Sequence, residues 1–236
     1  MTWWCTGMRW SAAEGRPRLE WYAEGRGERH SPLVYGQVVA FAARGERRCI
    51  GVWRGGRRTP CPVAAGVPAR GARAQCADCA RIDRSYSVAA DTNAGDQRPY
   101  GVYLAWFGPG LVKVGITAVE RGSARLLEQG AVAFAWLGRG PLMAARRAEE
   151  LLGAALGVPD RIPYARKREI RAALPPVRER VAELRACHER AVALEGWPES
   201  LERTPFEAVD HAAAFGLDGL RDASGVVREL VDGGVV

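Results

Sequence analysis

Two groups of side chains carry the chemistry available to this chain. The first is a cysteine set. Cys49, Cys61, Cys76 and Cys79 are spaced C-x11-C-x14-C-x2-C. Four thiolates at tetrahedral distance close a structural Zn2+ site, and such a site would pin the Gly-, Pro- and Arg-rich segment 54–81, which has little core of its own. The rival readings are small buried hydrophobes or free thiols, or a Cys76/Cys79 redox pair, for which no βαβ pattern is present. The second group is Tyr103, Lys113, Arg121 and Arg125. A tyrosine oxygen, a lysine and arginine forks are the parts that hold a phosphodiester. On a helix Arg121, Arg125 and Glu128 follow at steps of four and three and share one face. Taken singly, Tyr103 reads equally as a core aromatic, and the arginines as a solvated helix face.

These side chains need elements to position them. Gly101 to Phe107 reads as an apolar strand, Gly108-Pro109-Gly110 as a turn and Leu111 to Ile116 as a second strand, which makes a β-hairpin. Thr117 follows as an N-cap with Glu120 completing a capping box. That helix runs to Gln129, with Gly130 as its C′ residue. Ala131 to Leu137 is a third strand, and a helix from Pro141 to Leu156 ends at Gly157 and Pro159.

Upstream, residues 1–98 read as strand-rich, with strands at Leu19–Tyr22, Leu33–Ala43 and Cys49–Trp53. Downstream, 161–236 reads as helical. An amphipathic stretch from Val177 to Leu194 carries an apolar stripe of Val177, Val181, Leu184, Cys187 and Ala191, and Thr204-Pro205-Phe206-Glu207 opens another helix. The ending Gly233-Gly234-Val235-Val236 looks like a strand cut short. The expected class is α+β in three parts: 1–98, a β-hairpin–α–β–α core at 99–160, and a helical extension at 161–236.

Gly101-Val102-Tyr103, followed after nine residues by Lys113-Val114-Gly115-Ile116-Thr117, resembles the paired strand motifs of the GIY-YIG nuclease superfamily, with Lys113 where the second tyrosine usually stands. The longer string, with Arg125 and Glu128-Gln129-Gly130-Ala131 in order, looks like an uncharacterised family that joins a cysteine-bearing N-terminal region to a GIY-YIG-like core. The resemblance implies that Tyr103 helps deprotonate a water and that Arg125 stabilises the phosphate. It also implies that one carboxylate on the helix after the third strand, Glu149 or Glu150, binds Mg2+, a cation that keeps much of its hydration shell. Lys113 joins this catalytic set, and Arg121 and Thr117 join as phosphate-binding residues. Glu149 and Glu150 beside Arg146 and Arg147 also read as ordinary surface pairs.

Composition sets the frame. The chain has 236 residues, 47% hydrophobic, with a formal net charge of +7. That balance excludes a disordered chain, and no apolar run is long enough to span a bilayer. Met1-Thr2-Trp3-Trp4-Cys5 has no basic region followed by an apolar one, so the expected location is cytoplasmic. A positive balance favours a polyanionic partner, although Arg, Ala and Gly are abundant throughout. No Gly-rich phosphate loop supports a nucleotide cofactor. Three functions stand: a Mg2+-dependent endonuclease-like phosphodiesterase with a structural zinc site, a non-catalytic nucleic-acid-binding protein on the same scaffold, and a structural or protein-interaction role.

Overall fold

A computed structural model describes residues 2–11, 14–42, 44–54, 57–69, 74–85, 95–159, 161–171 and 173–217. The apolar ending at Gly233–Val236 lies outside them. The chain is mixed α+β and divides into two compact units, one taking in Met1–Asn93 and the other Ala94–Gly225. No helix among the described residues is long and apolar enough to cross a membrane.

The first unit contains a three-stranded antiparallel sheet, β1 (Trp4–Ser11), β2 (Arg16–Ala23) and β3 (Gly27–Pro32), with β2 in the middle. Period-two patterning explains β2: Pro17, Leu19, Trp21 and Ala23 are buried on one face, while Arg16, Arg18 and Tyr22 point the other way. Glu20 is the buried exception, and its carboxylate accepts a bond from Arg18 Nε at 2.7 Å. The strand expected over Leu33–Ala43 does not form. Gly36 takes a left-handed φ of 81° and Gln37 N donates to Val34 O, so a turn interrupts the extended run. Val38 and Tyr35 are left exposed. A second pair, β4 (Val52–Arg54) and β5 (Arg57–Thr59), is antiparallel, and α1 (Ala77–Ser85) carries Cys79.

The second unit is built on β6 (Pro99–Gly108), β7 (Leu111–Ala118) and β8 (Ala133–Pro141), with β6 between the other two and all pairs antiparallel. β6 is buried on both faces from Tyr100 to Gly108, which is why it reads as a continuous apolar run. Between β7 and β8 lies α2 (Ala124–Gln129). After β8 come α3 (Leu142–Leu156), α4 (Tyr164–Arg171) and α5 (Val177–Val192). Gly130 and Gly157 end α2 and α3 in the left-handed conformation. Both α4 and α5 pack on β6, so these helices belong to the same unit as the hairpin.

Three expectations are corrected. Thr117 is not a helix cap: β7 continues to Ala118, because Thr117 and Ala118 pair with Gly101 and Tyr100. A 3-10 turn at Val119–Arg121 follows, and α2 starts only after Gly122 and Ser123. Thr204–Glu207 does not open a helix. It links β9 (Glu202–Arg203) to β10 (Ala208–Asp210), both of which pair with β8 and widen the sheet. The buried stripe of α5 runs through Arg180, Leu184, His188 and Ala191, leaving Val177 exposed. It is rotated because Arg180 is drawn inward to Asp210, with Nε 3.4 Å from Oδ2.

One contact ties α5 to the hairpin. Glu183 accepts from Trp106 Nε1 at 2.7 Å and from Gly110 N at 2.8 Å. Trp106 is fully buried, so its indole N–H has no access to water as a substitute. Replacing Glu183 with Ala should cost about 2–3 kcal/mol, the range for losing hydrogen bonds to a charged acceptor and orphaning a buried donor. Glu183→Gln, which keeps an acceptor oxygen, should recover much of it. Urea denaturation of the two variants measures the difference, and equal midpoints would show that the carboxylate is not a staple.

Candidate functional site

The Sγ atoms of Cys49, Cys61, Cys76 and Cys79 all lie within 4.8 Å of one another. A tetrahedron with Zn–S bonds of about 2.3 Å has sulfur atoms about 3.8 Å apart, and the Cys61–Cys76 separation is 4.0 Å. The cluster is largely buried and has Val52, Ala65, Val67 and Ile82 packed around it. Backbone geometry brings the four together. Gly51 has φ 82°, and a Cβ there would strike the Thr59 carbonyl and sit 2.9 Å from Cys61 N. The segment 49–51 before β4 can therefore approach the Cys61 segment only through glycine. Gln75 Nε2 donates to Gly51 O at 2.8 Å and to Asp83 Oδ2 at 2.6 Å, and Asp83 Oδ1 accepts from Trp53 N, which joins α1 to β4.

The thiol electrostatics suit a cation. Burial pushes the Cys49 thiol up, partly offset by N–H donors from Cys76 and Gly51. Burial and its sulfur neighbours push Cys79 well above the usual thiol range. Burial also acts to raise Cys61, but N–H groups of Ala65 and Val63 and the thiols of Cys49 and Cys79 outweigh it and bring this group down to about 7. Four clustered sulfurs resist ionising together because like charges repel. A divalent cation removes that obstacle, and an all-sulfur donor set suits zinc.

In the second unit, the face of β6 that carries Tyr103, Ala105 and Phe107 is covered by Leu126 of α2 and by Ile162. Cross-strand pairing sets Gly115 and Trp136 on either side of Tyr103, and Lys113 and Phe134 on either side of Ala105. The Tyr103 ring lies edge-on to Trp136 with centroids 6.0 Å apart, and it occupies the space left by Gly115, where a Cβ would meet it. Gln129 Nε2 donates to its hydroxyl at 2.8 Å. The residue is 1% exposed. Burial pushes the phenol pKa up. Gln129, Arg125 and Arg121 act downward and Glu149 acts upward. The Tyr103 oxygen is thus a buried neutral hydroxyl, within electrostatic reach of two arginines and one carboxylate.

Basic groups gather beside it. Lys167 of α4 donates from Nζ to Gln129 O at 2.9 Å and lies 4.0 Å above the Phe107 ring. Burial, then the charges of Lys113, Arg171 and Arg125, bring its pKa down to about 8. Arg171 donates to Gly130 O at 2.7 Å. Arg121 and Arg125 both approach Glu128, at 2.7 and 3.7 Å, so that carboxylate offsets part of their charge.

The structure therefore gathers Tyr103, Lys113, Arg121, Arg125 and Glu149 around one corner of the sheet. It separates Glu149 from Glu150: Glu149 is half-buried and acts on Tyr103, whereas Glu150 is exposed. Thr117 is 3% exposed within β7 and offers its hydroxyl to no surface ligand. Sequence reasoning missed Gln129, Lys167 and Arg171. A signal for Lys167 existed: Lys113 and Lys167 are the two lysines among 34 basic residues, and both come to this corner.

Comparison with curated proteins returns no match, and neither does comparison with solved structures. A family model does match, over residues 36–235, which takes in the four cysteines and all of the second unit. The chain accordingly belongs to the family described as Protein of unknown function (DUF2797).

Proposed function

We propose that the second unit binds nucleic-acid phosphate on a scaffold of GIY-YIG type, and that the four cysteines of the first unit hold a structural Zn2+. The observation that carries the phosphate reading is the meeting of Lys113, Arg125, Lys167 and Arg171 at one corner of the sheet. Burial first, and then the charges of Lys113, Arg171 and Arg125, hold the Lys167 pKa down, and an anion beside these cations would relieve their repulsion. Binding fits better than cutting. The Tyr103 hydroxyl is sealed, neutral and committed to Gln129, so it has no route to a water molecule. Lys113 grips phosphate but offers no hydroxyl.

A second reading, phosphodiester hydrolysis of endonuclease type, draws on Glu149. This carboxylate stands on the Tyr103 side of α3, where it would hold a hydrated Mg2+ while Arg125 met the phosphate. A single carboxylate ligand fits a cation that keeps most of its water.

The test uses the full chain with labelled single-stranded, nicked and branched DNA and RNA, with and without Mg2+. Binding should weaken steeply with salt. The double variant Lys113→Ala/Arg125→Ala should bind about tenfold more weakly and flatten the log–log salt slope by about two, roughly one per lost phosphate contact. Metal-dependent cleavage abolished by Glu149→Ala establishes the second reading instead. Absence of any salt-sensitive binding leaves a structural or protein-interaction role.

A further inference from the structure

We propose that Tyr164 is a stacking platform for one base of a single-stranded nucleic acid, set beside the cations that hold its phosphates. The inference rests on the phosphate-binding reading of the second unit and names the strand form that the site takes. Tyr164 opens α4 and is 62% exposed, whereas Tyr103, Phe107 and Phe134 on the covered face of the sheet are all buried. One exposed ring is ordinary by itself. Tyr164 differs in being held in place and surrounded by positive charge.

Three side chains of α4 grip the end of α2. Tyr164 Oη donates to Glu128 O at 3.1 Å, Lys167 Nζ to Gln129 O at 2.9 Å and Arg171 to Gly130 O at 2.7 Å. The donors follow at steps of three and four, which puts them on one side of their helix. The acceptors are consecutive carbonyls at a helix C-terminus, groups that helix geometry leaves without intrahelical partners. The Tyr164 ring is thereby anchored at its hydroxyl end. Lys167 Nζ lies 5.0 Å from the centroid of this ring and 4.0 Å from that of Phe107, so a buried cation backs the platform. A ring already fixed in position loses little further freedom when a base stacks on it.

Charge selects the occupant. Residues 161–171 include five basic side chains and one carboxylate, Glu169, whereas residues 94–236 as a whole hold nineteen of each. An arginine-rich composition throughout does not explain an excess confined to eleven residues of a balanced stretch. Arg161, Arg166 and Arg168 are exposed, and Lys167 feels the charges of Lys113, Arg171 and Arg125. A corner of that sign draws an anionic polymer, and a fixed aromatic face beside it takes an unstacked base. A duplex keeps its bases stacked on one another and brings only backbone to the ring. An acidic peptide matches the charge but has no base to stack.

The experiment compares the full chain with Tyr164→Phe and Tyr164→Leu, using a fluorescent single-stranded oligonucleotide, the same strand made abasic, the matching duplex, and polyglutamate, each over a range of salt. Both variants lose the bond to Glu128 O, so their unfolding midpoints should agree, and only one keeps an aromatic face. Tyr164→Phe should bind the single strand as the native chain does. Tyr164→Leu should bind it about tenfold more weakly, within the range for losing one base–aromatic stack. Its salt slope should be unchanged, because no phosphate contact is lost. On the abasic strand all three proteins should bind alike. Salt-sensitive binding that is equal in the phenylalanine and leucine variants would overturn this inference and leave the phosphate reading standing. Duplex or polyglutamate bound as tightly as the single strand would also overturn it. Absence of salt-sensitive binding to every probe removes both.

Discussion

Stripping metal from the cysteine centre should unfold the part of the first unit that packs around it. Around these cysteines the ligands are themselves the core. Cys49, Cys61 and Cys79 are buried together with Val52, and Ala65, Val67 and Ile82 complete the cluster. Without a bound cation, that handful of small side chains must offset the conformational entropy of ordering the segment from Arg47 to Ser85, at about 1–2 kcal/mol per residue for the backbone alone. A structural zinc site contributes on the order of 10–16 kcal/mol at neutral pH, comparable to the entire stability of an ordinary domain, about 5–15 kcal/mol. Removing it should therefore abolish cooperative folding of this region rather than shift a midpoint.

Amide hydrogen exchange with and without a strong chelator reads the result by segment. Protection at Cys49, Ile50, Val67 and Ala80, whose N–H groups bond to Ala65, Ala74, Arg47 and Cys76 carbonyls, should fall to that of an unfolded chain. Amides in β6 and β8 should keep theirs. Cys79→Ser should reproduce the chelated state without chelator, because it removes one thiolate from inside the packed cluster. Acid should act in the same direction, since protons compete with metal for thiolates, and the loss should follow falling pH. Reduced protein that purifies without zinc and stays fully protected at these amides would refute the metal reading and leave the four thiols as packing.

How much of this could be read from the chain depended on whether the signal was local. The cysteine set was legible because C-x2-C on one element, with two further cysteines upstream, limits what the thiols can do. The hairpin at 99–118 was legible because β6 is a continuous apolar run with Gly-Pro-Gly after it, and Gly130 and Gly157 marked helix ends through the left-handed conformation that they alone accept cheaply. The failures were tertiary. Thr117 carries a good capping signature, but pairing with Gly101 holds it in the strand. Thr204 to Glu207 looks like a helix start, but β8 has a free edge that captures Ala208–Asp210. The stripe expected on α5 holds at Leu184 and Ala191 and fails at Val177, where an ion pair between Arg180 and Asp210 that no periodicity encodes draws the buried face round. The scarcity of lysine marked Lys167 as unusual, but its place at the site was not legible, because its partners Gln129, Phe107 and Lys113 are distant in sequence.

Gly115→Ala should destabilise the second unit by about 1–3 kcal/mol, the usual cost of overpacking a filled core, and Tyr103→Phe should not rescue it. Gly115 lies directly across from Tyr103, and a Cβ there would meet the hydroxyl and come within 2.5 Å of Cζ and 2.8 Å of Cε2. Removing the oxygen leaves both ring carbons in the way, so the clash persists in the double variant. Tyr103→Leu, which removes the ring, should relieve it, so that the double variant with Gly115→Ala is more stable than the two single effects summed. Thermal or urea unfolding of the four proteins gives the coupling directly. Here the glycine of the second strand motif has a packing task, to make room for the tyrosine of the first, and the pair carries no information about catalysis by itself. The functional question then moves to Lys113, Arg125 and Glu149; of these Arg125 is exposed, and its substitution should change binding or cleavage while leaving stability within about 0.5 kcal/mol, the range for surface positions. If Tyr103→Phe instead keeps stability and eliminates a measured cleavage activity, the hydroxyl reaches solvent in solution, and the hydrolytic reading displaces the binding one.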